Sequence, residues 1–114
     1  MLFEVEYGFG EIPPGASNLK FQFTLRPQPA LLREVHAHGA PSTSFDIAIY
    51  DREDLDPLHM VYGRTGISLE AHDALLPPVA LMNDEKRYVY FLVSNKDSAN
   101  PCRLRVRLVY EASE

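Results

Sequence analysis

The sequence predicts an all-β protein, an antiparallel β-sandwich or jelly roll of about eight short strands in one domain, residues 1–114. Three observations support this fold class. Several stretches alternate apolar and polar side chains with a period of two, as strands with one buried face do. Turn-rich segments separate these stretches roughly every 8 to 12 residues. Nine prolines argue against long helices, because each removes a backbone donor and clashes with the preceding turn.

The alternation is clearest in two stretches. In residues 18–26, leucine and phenylalanine at every second position are interleaved with Lys20, Gln22 and further polar side chains. Residues 102–111 repeat the pattern, with Cys102 and aliphatic side chains on one side and three arginines on the other. Both stretches are therefore predicted to be strands that each bury one face.

Two further strands are predicted to lie deeper in a sheet. Residues 86–94 are apolar on both faces and rich in aromatic and β-branched side chains. This composition is typical of a central strand that is covered on both sides or touches a partner. Residues 45–50 point Phe45, Ile47 and Ile49 to one face, and only Asp46 on the other is charged.

The remaining elements carry weaker patterns. The weaker strand candidates are residues 2–7, 31–38, 58–62 and 67–69, with a short piece at 79–82. Residues 70–76 are the only plausible helical turn. The apolar members of the strongest strands form the predicted core, which is Leu19, Phe21, Phe23, Leu25, Phe45, Ile47, Ile49, Phe91, Leu104, Val106 and Leu108.

Composition excludes several classes of function. The 11 Lys and Arg residues against 16 Asp and Glu give a net charge of −5, which argues against a nucleic-acid partner, because such binding rests on cationic contacts to phosphates. No apolar window of about 18 residues is present, so we expect no membrane span. The single cysteine, Cys102, excludes an internal disulfide and is expected to be a buried apolar side chain.

Histidines provide one possible metal site. His36 and His38 lie two residues apart in a predicted strand, so both should project to the same face, where His59 or His72 could complete a zinc site. A structural zinc site needs four ligands, and the sequence does not identify the other two. We therefore expect exposed or interface histidines, no metal and no cofactor.

The acidic run Asp51 to Asp56, DREDLD, could bind Ca²⁺ because calcium prefers oxygen ligands. It lacks the glycine at the sixth position and the distant bidentate glutamate of an EF-hand loop. A solvated turn, in which aspartates bond their own backbone, is the favoured interpretation.

No pattern of a catalytic site is present. The chain has no Gly-x-Ser-x-Gly nucleophile motif, and its one cysteine belongs to the apolar face of a strand. The carboxylates of the acidic run are adjacent in sequence, whereas glycoside hydrolysis needs two that flank a sugar from opposing sides. We expect a protein that is not an enzyme.

Three arginines on one face of the last predicted strand form a candidate protein interface. Arg103, Arg105 and Arg107 would repel one another unless carboxylates lie opposite them. Those carboxylates could come from the adjacent strand of the same chain or from another subunit. Guanidinium groups suit an intersubunit contact better than lysine does.

Residues 45–111 resemble small β-sandwich structural proteins of tailed bacteriophages, in tail, baseplate or capsid-surface positions. The resemblance is carried by FDIAIYDREDLDPLHMVYGRTGIS and NDEKRYVYFLVSNKDSANPCRLRVRLVYE. Within them lie an aliphatic-Tyr-Asp step (Ile49, Tyr50, Asp51), a Val-Tyr-x-x-x-Gly-Ile segment (Val61, Tyr62, Gly66, Ile67) and a last hairpin whose loop carries Asn95, Lys96 and Asp97.

This resemblance implies a non-enzymatic virion component, made in the host cytoplasm, that contacts other virion proteins and copies of itself. The alternative is a carbohydrate-binding β-sandwich module, since similar strings occur in such domains. Sugar binding would require an exposed aromatic platform. Six tyrosines are available for one, but the chain has no tryptophan.

Overall fold

The computed structural model of the chain describes residues 1–27, 29–81 and 88–113. Within these residues it contains eight strands and a single 3₁₀ turn, Pro57–His59. The strands are β1 (Leu2–Ile12), β2 (Leu19–Thr24), β3 (Ala30–Pro41), β4 (Phe45–Tyr50), β5 (Met60–Ile67), β6 (Glu70–Leu81), β7 (Tyr88–Asn95) and β8 (Cys102–Ala112).

The strands form two four-stranded antiparallel sheets. Sheet A has the order β1-β8-β3-β6, and sheet B has the order β2-β7-β4-β5. The first strand therefore pairs with the last, the second with the seventh, the third with the sixth and the fourth with the fifth. This nested pairing is the jelly-roll topology, so the predicted fold class is confirmed.

The core fills the space between the sheets. The inward side chains of β4, β7 and β8 are almost fully buried, as the alternation predicts. Phe91 on β7 lies at the centre of an aromatic cluster, with its ring centroid 5.0 Å from Phe9, 5.7 Å from Phe23 and 5.8 Å from Tyr7. The strands of sheet A are 11 or 12 residues long, and those of sheet B are 6 to 8 residues long. The predicted short strand length therefore fits sheet B but not sheet A.

The four strongest strand predictions are confirmed. Residues 45–50 match β4, and residues 18–26 and 102–111 contain or overlap β2 and β8. β7 lies between β2 and β4, as predicted for the stretch 86–94. Residues 86 and 87 of that stretch lie outside the described residues, as does residue 82 of the short piece at 79–82, whose first three residues belong to β6.

The predicted helical turn at 70–76 is wrong, because these residues are the first half of β6. Ala71 is buried while His72 and Glu70 are exposed, so the segment alternates like a strand. It pairs with β3 from His38↔Glu70 onward. Cross-strand bonding along this sheet edge outweighs the helix preference of a few residues.

The candidate strand at 67–69 is also not a separate element. Ile67 ends β5, and Leu69 has a left-handed backbone (φ +70°) in the connection to β6. The candidate at 58–62 divides into the 3₁₀ turn and the start of β5.

Three predicted core residues are only partly buried. Leu19, Phe21 and Phe23 pack against the core, but each remains partly exposed. They lie on β2, which is an edge strand of sheet B and has a neighbour on one side only. The other eight predicted core residues are buried.

The register assigns the loops to two opposite ends of the sandwich. Phe45 at the start of β4 pairs with Asn95, and Tyr50 at its end pairs with Tyr90. Loops 13–18, 42–44 and 96–101 therefore lie at one end, called here the Asn95 end. Loop 51–59 lies at the other, called the Asp51 end.

Candidate protein interface

The three arginines of β8 form a column on the outer face of sheet A. Arg103, Arg105 and Arg107 are exposed, whereas the residues between them, Leu104 and Val106, are buried. β8 lies between β1 and β3, so hydrogen-bonded neighbours hold it on both sides. The arginine column is therefore presented by a strand in the interior of a sheet.

Two of these arginines have carboxylates beside them on β1. Arg103 pairs in register with Glu11, and its Nε lies 3.5 Å from the Glu11 carboxylate. Arg107 lies opposite Glu6 in the ladder. For these two positions, carboxylates of the same chain lie on the adjacent strand.

Arg105 has different neighbours. Its partner on β1 is Gly8, and its partner on β3 is His38. Among the described residues, no carboxylate lies within ion-pair distance of its guanidinium. Arg105 is therefore the member of the column that has no carboxylate even as a cross-strand neighbour, so its charge is left to solvent or to a partner.

A groove of about 760 Å³ lies along this part of sheet A, towards the Asn95 end. It is lined by Gly8, Gly10, Glu11, His38, Ala40, Pro41, Arg103, Leu104 and Arg105. The two glycines leave an open floor, because a Cβ added at either would meet no atom within 4 Å. The groove thus combines an open floor at the two glycines, apolar side chains from Ala40 and Pro41, and a cationic side.

The histidines are exposed to different degrees on the same face. His36 and His38 both project outwards, as predicted, and His36 lies beside His72 with ring centroids 4.6 Å apart. The Nε2 of His36 is 2.9 Å from the Glu34 carboxylate. His59, the other suggested ligand, lies in loop 51–59 at the Asp51 end.

The acidic run forms a turn that uses its own carboxylates. Asp56 accepts a hydrogen bond from the Leu58 amide (2.9 Å) and caps the 3₁₀ turn. Asp54 accepts one from the Asp56 amide (2.9 Å) and lies 3.2 Å from the His59 ring, and both contacts lower its pKa. Among the described residues, Asp54, Asp56 and His59 are the one group spaced to hold a metal ion, but these contacts match the solvated turn that we favoured.

A second polar cluster joins the edges of the two sheets. Tyr62 and Arg64 on β5 both donate to the Asp73 carboxylate on β6, Arg64 at 2.8 and 2.9 Å. Burial and the bond to Asp73 raise the pKa of Tyr62, and the two bonds lower that of Asp73. The Tyr62 hydroxyl is therefore a fixed donor, and the cluster ties β5 to β6.

Cys102 is fully buried, as predicted. Burial raises the pKa of its thiol to about 11, so the reactive thiolate is scarce near neutral pH. The tyrosines offer little platform for a sugar: Tyr88 is partly exposed, and the other five, Tyr7, Tyr50, Tyr62, Tyr90 and Tyr110, are buried. No helix in the described residues is long and apolar enough to cross a membrane.

The sequence matches no protein-family model and no curated protein sequence. Solved structures with a similar chain path include tomato aspermy virus, at 10% identity and a TM-score of 0.46, over 99% of this chain and 79% of that one. The tobacco streak virus coat protein dimer is similar at 9% identity and a TM-score of 0.48, over 99% of this chain and 86% of that one. At these identities and with TM-scores below 0.5, no function is inferred from the likeness.

Sequence reasoning did not identify the polar network at the Asn95 end as a structural unit. The buried Asn95 amide donates to the carbonyl oxygens of Ile12, Pro13 and Asn100, and its oxygen accepts from Ser42 and from the Asp97 amide. Asp97 in turn accepts bonds from Thr43, Ala99 and Asn100. The signal in the sequence was the Asn and Asp pair, which we interpreted only as loop residues.

Proposed function

We propose that this chain is a non-enzymatic structural component of a tailed-phage virion, a tail, baseplate or capsid-decorating protein that acts through assembly contacts. The observation that carries the proposal is Arg105. It is exposed on an interior strand, and no carboxylate of the described chain pairs with it. A guanidinium in that position is available to a partner subunit.

The fold supports a role that requires a rigid contact surface. Jelly rolls occur in viral capsid proteins and in several binding proteins, so the topology is compatible with this role without deciding it. The Asn95 network binds loops 13–18, 42–44 and 96–101 to one another, and the contact of β5 with β6 joins two sheet edges. These ties give the outer face of sheet A a rigid support.

The polar clusters support a role without catalysis. The carboxylates of Asp73 and Asp97 are occupied by hydrogen bonds from the chain itself. The thiol of Cys102 is buried, and Tyr62 is held as a donor. Asp73, Asp97 and Tyr62 thus have hydrogen-bond partners within the chain, and the Cys102 thiol is enclosed by the core.

The energetic consequence of the proposal is specific to Arg105. If Arg105 contacts acidic groups of another subunit, its truncation leaves a buried partner unpaired, at a cost of about 2 to 5 kcal/mol of binding. If it faces only solvent, its truncation costs about 0 to 1 kcal/mol and affects stability alone. Assembly and stability therefore respond differently in the two cases.

The test compares Arg105→Ala with Arg33→Ala. Arg33 is also an exposed arginine of sheet A, but its guanidinium is 2.7 Å from Glu111 and it lies towards the Asp51 end. We expect Arg105→Ala to reduce incorporation into particles while the unfolding midpoint stays unchanged, and Arg33→Ala to leave incorporation intact. Equal incorporation of both variants would remove the arginine column from the proposal.

A further inference from the structure

The groove at the Asn95 end of sheet A has a definite chemical preference. Arg103, Arg105 and His38 line it, and Glu11 is the one acidic residue among its described lining. Glu11 is already 3.5 Å from Arg103, so Arg105 provides the uncompensated charge. An occupant should therefore carry carboxylates, together with an apolar group for the floor.

Loop 51–59 of this chain has that combination. It carries four carboxylates against the single arginine Arg52; that of Asp51 is buried, and those of Glu53, Asp54 and Asp56 are at least partly exposed. Leu58, in its 3₁₀ turn, is 87% exposed, the highest value among the exposed large apolar side chains of the described residues. Asp54 and Asp56 accept hydrogen bonds from backbone amides at the 3₁₀ turn that carries Leu58, so the apolar side chain and these two carboxylates lie on one segment.

The loop cannot reach the groove of its own chain. Gly39 of β3 lies against both Cys102 and Phe45, which places the start of β8, and hence the groove, beside the start of β4. Loop 51–59 follows the other end of β4, about 17 Å further along the strand direction. It also leaves from sheet B, whereas the groove lies on the outer face of sheet A.

We propose that loop 51–59 of one copy docks into the Arg105 groove of a second copy, with Leu58 over the glycine floor and the carboxylates against Arg103 and Arg105. This inference rests on the proposed assembly function and names its partner. The groove is a cationic exception on a chain of net charge −5, so the acidic loop of a second copy is locally complementary to it.

The contact is heterologous, because it joins two different surfaces. Each added copy leaves one loop and one groove open, so the copies form a ring if the rotation closes and a fibre if it does not. The contact is also electrostatic, so added salt should weaken it.

The test uses a groove variant, Arg105→Ala, and a loop variant, Leu58→Lys, in sedimentation velocity at low salt over a series reaching about 1 mM. Both positions are exposed, and unchanged unfolding midpoints verify the folds. We expect the unmodified chain to self-associate and each variant to do so at least about tenfold more weakly. Mixed together, the two variants should form a dimer of one copy of each that does not grow.

The mixture is the decisive measurement, because one native loop and one native groove remain in it. If both variants associate as strongly as the unmodified chain, or if their mixture stays monomeric, the loop-to-groove contact is wrong. An unmodified chain that remains monomeric also overturns it. If Arg105→Ala nevertheless fails to enter particles, the assembly function stands and its partner is another virion protein.

Discussion

The packing of the two sheets can be tested at Gly39, whose Cα faces the core at the Asn95 end. A Cβ added there would overlap the Sγ of Cys102 and would lie 2.9 and 3.1 Å from two ring atoms of Phe45. Contacts below 3.0 Å force neighbours to move, and both neighbours are fully buried. Gly39→Ala should therefore destabilise the fold by overpacking.

The expected magnitude follows from that geometry. Extra methyl groups in a packed core cost about 1 to 3 kcal/mol. With two buried neighbours in the way, we expect about 2 kcal/mol, which corresponds to a decrease of about 8 °C in Tm for a chain of this size. Denaturant unfolding followed by circular dichroism measures the loss directly.

The control is Gly8→Ala, because a Cβ on Gly8 meets no atom within 4 Å. Its free energy of unfolding should change by less than about 0.5 kcal/mol. Cys102→Ala removes the Sγ that the new methyl group overlaps, so Gly39→Ala should cost less in that background. Equal effects of Gly39→Ala and Gly8→Ala would refute the close approach of β3, β4 and β8.

Three further predictions concern the core and the Asn95 network. Phe91→Ala should cost about 3 to 5 kcal/mol of unfolding free energy, because Phe91 is fully buried. Phe23→Ala should cost less, because Phe23 is partly exposed. The reverse order in denaturant unfolding would contradict the assigned core. Asn95→Ala should cost at least about 2 kcal/mol by leaving buried carbonyl groups unpaired, and a loss below about 0.5 kcal/mol would show that the network is not stabilising. Bonds from the Asn100 side chain and the Ala99 and Thr43 amides lower the pKa of Asp97, so its stabilisation is present above pH about 4 and lost as pH falls below it. The stability difference between the unmodified chain and Asp97→Asn should accordingly shrink from pH about 4 to about 2, and a constant difference would exclude this linkage.

The sequence was most informative where one face of a strand is buried. β4 and β8 alternate buried and more exposed side chains over most of their length, and their bounds follow from this closely. β6 was mistaken for a helical turn because Ala and Leu favour helices, and its strand conformation depends on pairing with β3, which is remote in sequence. The partial exposure of Phe23 likewise depends on β2 being an edge, which is a property of strand order.

The features of the candidate interface also differ in how far the sequence alone predicts them. The outward direction of Arg105 follows from the period of β8 and was predicted. That no carboxylate of the described residues pairs with it depends on Gly8 and His38 lying beside it, and hence on the registers of β1 and β3. The groove arises only when these three strands are brought together, so no local pattern could have identified it.

The central claim, that this chain is part of a virus particle, is tested most directly by electron microscopy of purified native particles labelled with an antibody to the chain. The proposal predicts label at one repeated position on the tail, baseplate or capsid surface, and none with a pre-immune control. Particles that carry no label above that control, although the antibody binds the purified protein, would contradict the proposed function.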